Sequence, residues 1–191
     1  VMRENWMTLN GEWQFEIDDQ GNGEARGLIA GKDLASKIIV PFCPESKLSG
    51  LALGNTQYMT NVWYRRTFEL PAAMKGKRVL LHFGGVDYKT WAYVNGQLAG
   101  THVGGNAAFG FEITTFLKEG PNEVVVRVVD HLRGGLQPGG KQAYDKSQGC
   151  VYTRTTGIWQ SVWLEAVGTS YVESFSVVPD PEHARVLIEA T

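Results

Sequence analysis

Nine short runs rich in β-branched and aromatic residues are spaced along the chain, each ended by turn residues. They are "WQFEI" (13–17), "KIIV" (37–40), "VWYRRTFEL" (62–70), "KRVLLHF" (77–83), "YKTWAYV" (88–94), "QLAGTHV" (97–103), "FEITTFL" (111–117), "NEVVVRVV" (122–129) and "GIWQSVWLEA" (157–166). Several alternate with period two. In "VWYRRTFEL", Trp63, Arg65, Thr67 and Glu69 oppose Tyr64, Arg66, Phe68 and Leu70, the mark of strands with unequal faces. Asn95-Gly96 between two runs is a type I′ hairpin signal. Pro71, Gly76 and Gly120-Pro121 punctuate further turns. No long helical period appears, and at most a short helix is expected from Lys32 to Ser36. Short strands with regular turns predict an all-β fold, an antiparallel sandwich or jelly roll.

With 191 residues and 43% hydrophobic content, the chain has enough for one packed core and the start of another. The first domain is expected to span 1–167. The tail, "GTSYVESFSVVPDPEHARVLIEAT" (168–191), holds two more strand-like runs around Pro-Asp-Pro and is too short to close a core. It reads as the opening hairpin of a further β-domain, so the chain is expected to be the front of a longer protein. Net charge is −2 with 20% charged residues, which argues against nucleic acid as a partner. No apolar run reaches the ~18 residues that cross a bilayer, so no membrane role is expected. Residues 1–13 lack a signal-peptide pattern, but a cleaved leader would leave the same start, and the compartment is unassigned.

From Asp130 to Gly149 about twenty residues carry no strand or helix pattern. Such a loop is either an excursion or an ordered, ligand-facing segment. Within it, Gly135 to Lys141, "GLQPGGK", resembles a phosphate loop, but Gln142 replaces the magnesium-holding Ser or Thr and no helix is expected to follow. A nucleotide is rejected. His82, His102, His131 and His183 lack metal-ligand spacing, and no metal or other cofactor is expected. There is no GxSxG, and Cys43 and Cys150 read as isolated buried thiols. Glu69, Glu112 and Glu165 fall in strand alternations and read as solvated. Glu45, Asp87 and Asp130 sit at strand ends or in loops and are candidates for ligand contact. Of six tryptophans, Trp13, Trp63, Trp91, Trp159 and Trp163 fall in expected strands and are assigned to packing.

Taken in order, "NWMTLNGEWQFEI", "VPFCPES", "NVWYRRTFEL", "VLLHFGGVDYKTWAYVNGQLAGTHVGGNAAFGFEIT", "NEVVVRVVD" and "TGIWQSVWLE" resemble the amino-terminal domain of glycoside hydrolase family 2, the β-galactosidase, β-glucuronidase and β-mannosidase group. The resemblance runs from about Asn5 to Glu165. It implies a galactose-binding-like jelly-roll β-sandwich, followed by the start of an immunoglobulin-like domain. It also implies that retaining hydrolysis is carried by two glutamates of a (β/α)₈ barrel outside these residues, and that this segment has no catalytic residues of its own.

Loops of such a domain border the substrate pocket. In several members an acidic residue lies six positions before the glycine of the "GI[WF]" motif, where this chain has Val151. Asp145 is the replacement candidate. Arg154, three before Gly157, matches an arginine of some members, and Asn61 resembles a pocket asparagine of β-galactosidases. The rim candidates are therefore Glu45, Asn61, Asp87, Asp130, Asp145 and Arg154. The expected function is that of a non-catalytic sugar-binding domain of a β-galactosidase-like O-glycoside hydrolase, with a glycoside, the following immunoglobulin-like and barrel domains and homo-oligomer contacts as partners. The alternatives are a free-standing carbohydrate-binding module and a domain-docking or oligomerisation module.

Overall fold

A computed structural model describes residues 3–132, 134 and 136–191. The strands are β1 (Trp6–Thr8), β2 (Gly11–Ile17), β3 (Ser36–Val40), β4 (Asn61–Glu69), β5 (Arg78–Phe83), β6 (Val86–Asp87) and β7 (Lys89–Val94). They continue with β8 (Gln97–Val103), β9 (Phe109–Glu112), β10 (Pro121–Val129), β11 (Gly157–Ile158), β12 (Val162–Val167), β13 (Phe175–Asp180) and β14 (Arg185–Ala190). A six-stranded sheet in the order β3-β2-β4-β10-β7-β8 faces a four-stranded sheet in the order β1-β12-β5-β9. All pairings are antiparallel, and the two sheets enclose the core as a jelly-roll β-sandwich. A small ladder, β11-β6, lies at one end.

The alternation in β4 and β10 sorts the two faces of the larger sheet. Val62, Tyr64 and Phe68 from β4 and Val124, Val126 and Val128 from β10 enter the core with Trp13, Phe15, Leu81, Phe83 and Leu164. The opposite face is also covered. Residues 18–35 fold over it, burying Leu28 and Leu34 against Trp63, Tyr93 and Val125. That second layer explains why β10 reads as an almost unbroken run of valines: both of its faces are buried. Its one arginine, Arg127, lies over the rings of Trp63 and Trp91, at 5.7 and 5.0 Å.

The expected hairpin forms between β7 and β8, with Asn95 at φ +50° and Gly96 at φ +80°, the pair a type I′ turn requires. The Asn95 side chain ties the turn to the neighbouring loop, donating to the Phe116 carbonyl and accepting from the Glu123 amide.

Several expectations need correction. Residues 32–35 are not helical. Leu34 is instead drawn into the outer cluster, and its amide donates to Gln14 Oε1 at 2.9 Å. The "FEITTFL" strand stops at Glu112, where Ile113 turns into the core and Thr114–Phe116 form a 3-10 turn. "GIWQSVWLEA" is two strands, because the amides of Trp159 and Gln160 both turn to the Gly85 carbonyl. The break separates the environments of the two tryptophans in this stretch. Trp159 packs on Gly85, and Trp163 stacks on His82 at 5.0 Å. Trp63, expected to pack, does so in the outer layer. Both cysteines are free, and Cys150 is exposed rather than buried.

The tail forms a hairpin, β13-β14, whose turn holds Pro181–His183. Its pairing places Phe175, Val177, Pro179, Val186, Ile188 and Ala190 on one face, all of them exposed. Arg3 links it to the sandwich by donating to the Val172 carbonyl, at 2.8 Å.

Candidate functional site

Four of the six rim candidates meet at one end of the sandwich. Glu45 comes from the loop after β3, Asp87 from β6, Asp130 from the end of β10, and Arg154 from the stretch leading into β11. Gly157 lets these segments close. Its φ is +75°, and a Cβ there would fall 2.1 Å from the Tyr64 hydroxyl. That hydroxyl in turn accepts a hydrogen bond from the Ile158 amide at 3.2 Å.

Each candidate makes a distinct set of bonds. Glu45, 4% exposed, accepts from the Thr156 amide at 3.2 Å, while its Oε1 has no protein partner. Asp130, 2% exposed, accepts from Gln137 Nε2 at 2.6 Å. Arg154, also 2% exposed, donates to the carbonyls of Gln57 and Tyr144 and lies 5.0 Å over the Tyr58 ring. Its amide donates to Asn55 Oδ1, so the arginine ties the loop after β3 to the long loop. Asp87 Oδ2 accepts from Gln142 Nε2 at 3.0 Å, and Gln142 Oε1 accepts from the Thr155 amide at 2.8 Å.

Burial dominates the electrostatics here. It pushes Glu45 above the usual carboxylate range, and the Thr156 bond offsets this only in part. It raises Asp130 likewise, against the opposing bond from Gln137 and the charge of Arg154. Asp87 is pushed up to about 6, first by burial, then by the charge of Asp130 and, more weakly, that of Glu45. The Cys43 thiol is raised to about 12 by burial and by Glu45, which leaves it unreactive at neutral pH.

Three carboxylates with raised pKa values look at first like an acid/base centre. Access separates them. Glu45 and Asp130 lie behind the surface, whereas Asp87 reaches an open cleft of about 570 Å³. Gly104–Ala107 and Pro138–Gly140 form two of its walls, with Tyr88, Gln142, Thr155 and Trp159 completing it. A general acid or base must come within hydrogen-bond reach of the bond it serves, and only Asp87 of the three has that opening.

Asn61 and Asp145 lie apart from this group. Asn61, at the start of β4, accepts from Arg127 at 3.3 Å on the outer-layer side of the sheet. Asp145 is exposed in the long loop. That loop, in its described part, is held by isolated bridges, Gln142 with Tyr152 and Gln148 with Val151. Of the phosphate-loop-like stretch, Gly135 lies outside the described residues, and the chain after Lys141 enters the first of these bridges rather than a helix.

The family model for glycosyl hydrolases family 2, sugar binding domain, matches residues 52–167. The chain belongs to this family. As a sugar binding domain it is 32% identical over 120 residues to a β-galactosidase of Thermoanaerobacter pseudethanolicus, a match covering 62% of this chain and 15% of that protein. A putative β-glucuronidase of Formosa agariphila is 31% identical over 115 residues, covering 60% and 13%. Among solved structures, the Lactobacillus rhamnosus β-glucuronidase superposes with a TM-score of 0.74 at 28% identity, covering 93% of this chain and 31% of that one. The sugar binding domain is thus the smaller part of each relative.

Within the domain, Asp87, Asp130 and Arg154 fall inside the matched segment and Glu45 precedes it. Gln142 stands out in the sequence only as the residue that departs from a phosphate loop, and its hold on Asp87, like the parts of Thr156 and Gly105 in holding or covering the carboxylates, is not readable there. Only the "VGG" doublet at 103–105, beside a strand end, carried a usable signal.

Proposed function

We propose that this chain is the non-catalytic sandwich of a family 2 glycoside hydrolase that cleaves O-glycosidic bonds of the β-galactoside or β-glucuronide type. In this reading residues 1–167 are the sugar binding domain and 168–191 begin an immunoglobulin-like domain. The loop end holding Glu45, Asp87, Asp130 and Arg154 borders a pocket whose reacting carboxylates are supplied by a separate barrel domain. The observation that carries the reading is the match to a β-glucuronidase over 93% of this chain and only 31% of that enzyme. Two features agree with it. Glu45 and Asp130, two of the three raised carboxylates, are sealed from solvent. The hairpin β13-β14 exposes a face of six apolar residues, as a strand pair awaiting a second sheet would.

Hydrolysis of p-nitrophenyl β-galactoside and β-glucuronide tests this. Residues 1–191 alone are expected to release no nitrophenol, whereas the full product of the reading frame hydrolyses one of the two. Turnover by 1–191, or a reading frame without a catalytic domain, would overturn the proposal.

A further inference from the structure

The cleft above Asp87 is built differently from the rest of the loop end. Its floor is a carboxylate only 8% exposed, of which one oxygen is held by Gln142. The other oxygen, Oδ1, has a glycine directly over it: a Cβ on Gly105 would fall 2.6 Å away. Glycines 104, 105, 139 and 140 line two walls, so no side chain projects from these positions into the cleft. One wall carries the Trp159 indole, fixed by its N–H bond to the Gly105 carbonyl at 2.8 Å and by contact with Gly85. Among the described lining residues there is no lysine or arginine.

A half-held carboxylate, the exposed Asn106 on the wall and an anchored aromatic ring form the donor and acceptor set for a ring bearing several hydroxyls and an apolar face. A volume of about 570 Å³ admits one or two such rings. The charge of the floor selects among them. Asp87 has Asp130 and Glu45 behind it and Gln142 beside it, with no cation lining the cleft, so a uronate would meet uncompensated negative charge.

We propose that this cleft is a binding site for neutral pyranosides, formed by the sandwich alone, in which Asp87 accepts hydrogen bonds from sugar hydroxyls. The proposal rests on the functional reading above only in taking the ligand to be a sugar. Absence of turnover by 1–191 leaves it untouched, and loss of the cleft site leaves the family 2 reading intact.

The test is a ¹⁵N-NMR titration of 1–191 with methyl β-galactoside, methyl β-glucoside and methyl β-glucuronide, each to about 100 mM. At least one neutral glycoside is expected to give saturable shifts at the 104–107 and 139–142 amides and at the Trp159 indole. Methyl β-glucuronide is expected to bind several-fold more weakly than methyl β-glucoside. Asp87→Asn, which keeps the shape, is expected to weaken binding roughly tenfold. Asn106→Ala, an exposed position on the cleft wall, is expected to weaken it a few-fold without disturbing the fold. Wild-type affinity is expected to fall as pH drops from 8 to 5 and Asp87 is protonated, and the Asp87→Asn variant to lose that dependence. No saturable shift at these amides, tighter binding of the glucuronide, or unchanged binding in both variants would overturn the site.

Discussion

Asp18 and Asp87 are both buried carboxylates, 3% and 8% exposed, and both are pressed by a glycine. A Cβ on Gly23 would fall 2.8 Å from Asp18 Oδ2, and one on Gly105 would fall 2.6 Å from Asp87 Oδ1. Their titration nevertheless moves in opposite directions. At Asp18 burial pulls upward but is outweighed by the Trp63 indole at 3.0 Å, the amides of Gly23 and Asn22 at 2.8 and 3.1 Å, and the charge of Arg26. Asp87 has one side-chain donor, Gln142, and two acidic neighbours, so burial prevails and it rises to about 6. Burial alone therefore does not mark a functional carboxylate. The number of donors that remain after folding decides whether the charge is structural or available.

The contrast breaks most visibly at Asp18. Asp18→Ala strands an indole N–H and two amides beneath the 18–35 segment, and is expected to cost about 3 kcal/mol in denaturant unfolding at pH 7. Because its folded pKa is depressed, its contribution is present above the unfolded value near 3.8 and is lost as pH falls through the folded one. A loss under about 1 kcal/mol would mean that the three donors find other partners.

Asp87→Asn should act in the opposite sense. A carboxyl raised from 3.8 to about 6 favours the folded state when protonated, below 3.8, and that stability disappears as pH rises through about 6. The amide removes this loss. The variant is expected to be more stable than wild type by about 2 kcal/mol at pH 8 and equal to it near pH 4, read from paired urea melts. A destabilised variant at pH 8 would show that the charge is compensated in a way the Gln142 bond alone does not explain.

The smallest expected effect sharpens the comparison from the donor side. Gln142→Ala removes the one side-chain bond to Asp87 and leaves the Thr155 amide without its partner, at a cost of about 1 kcal/mol. It should also move Asp87 further above 6, seen in the carboxyl ¹³C titration. An unmoved titration would show that the Gln142 bond does not hold the Asp87 pKa down against burial.

Glu45, Asp87 and Asp130 were recognisable before folding because each stands at a strand end or in a loop, where side chains escape the alternation of a sheet. Arg154 came from the resemblance. That the four converge was not visible, since they come from stretches up to about a hundred residues apart in sequence. Asn61 has the same loop-edge signature as the others, yet β4 turns it to the Arg127 side of the sheet. Gln142 entered the sequence reading only as a departure from a phosphate loop: a glutamine in a loop becomes informative about a carboxylate only when one lies 3.0 Å away. Trp63 was assigned to packing and is fully buried, but alternation tells two faces apart without saying which one the 18–35 segment will cover.

The course of most of the longer strands, the Asn95-Gly96 hairpin and the all-β class were settled by the sequence itself. Side-chain alternation and turn dihedrals are local properties, set within a few residues. The tertiary structure alone decided that "GIWQSVWLEA" breaks where Trp159 and Gln160 turn to the Gly85 carbonyl, that folding lowers the pKa of Asp18 and raises that of Asp87, and that only one of three raised carboxylates opens to a cleft. Those outcomes depend on desolvation and on donors from distant segments, and both exist only once the two sheets and the loops across their end have closed.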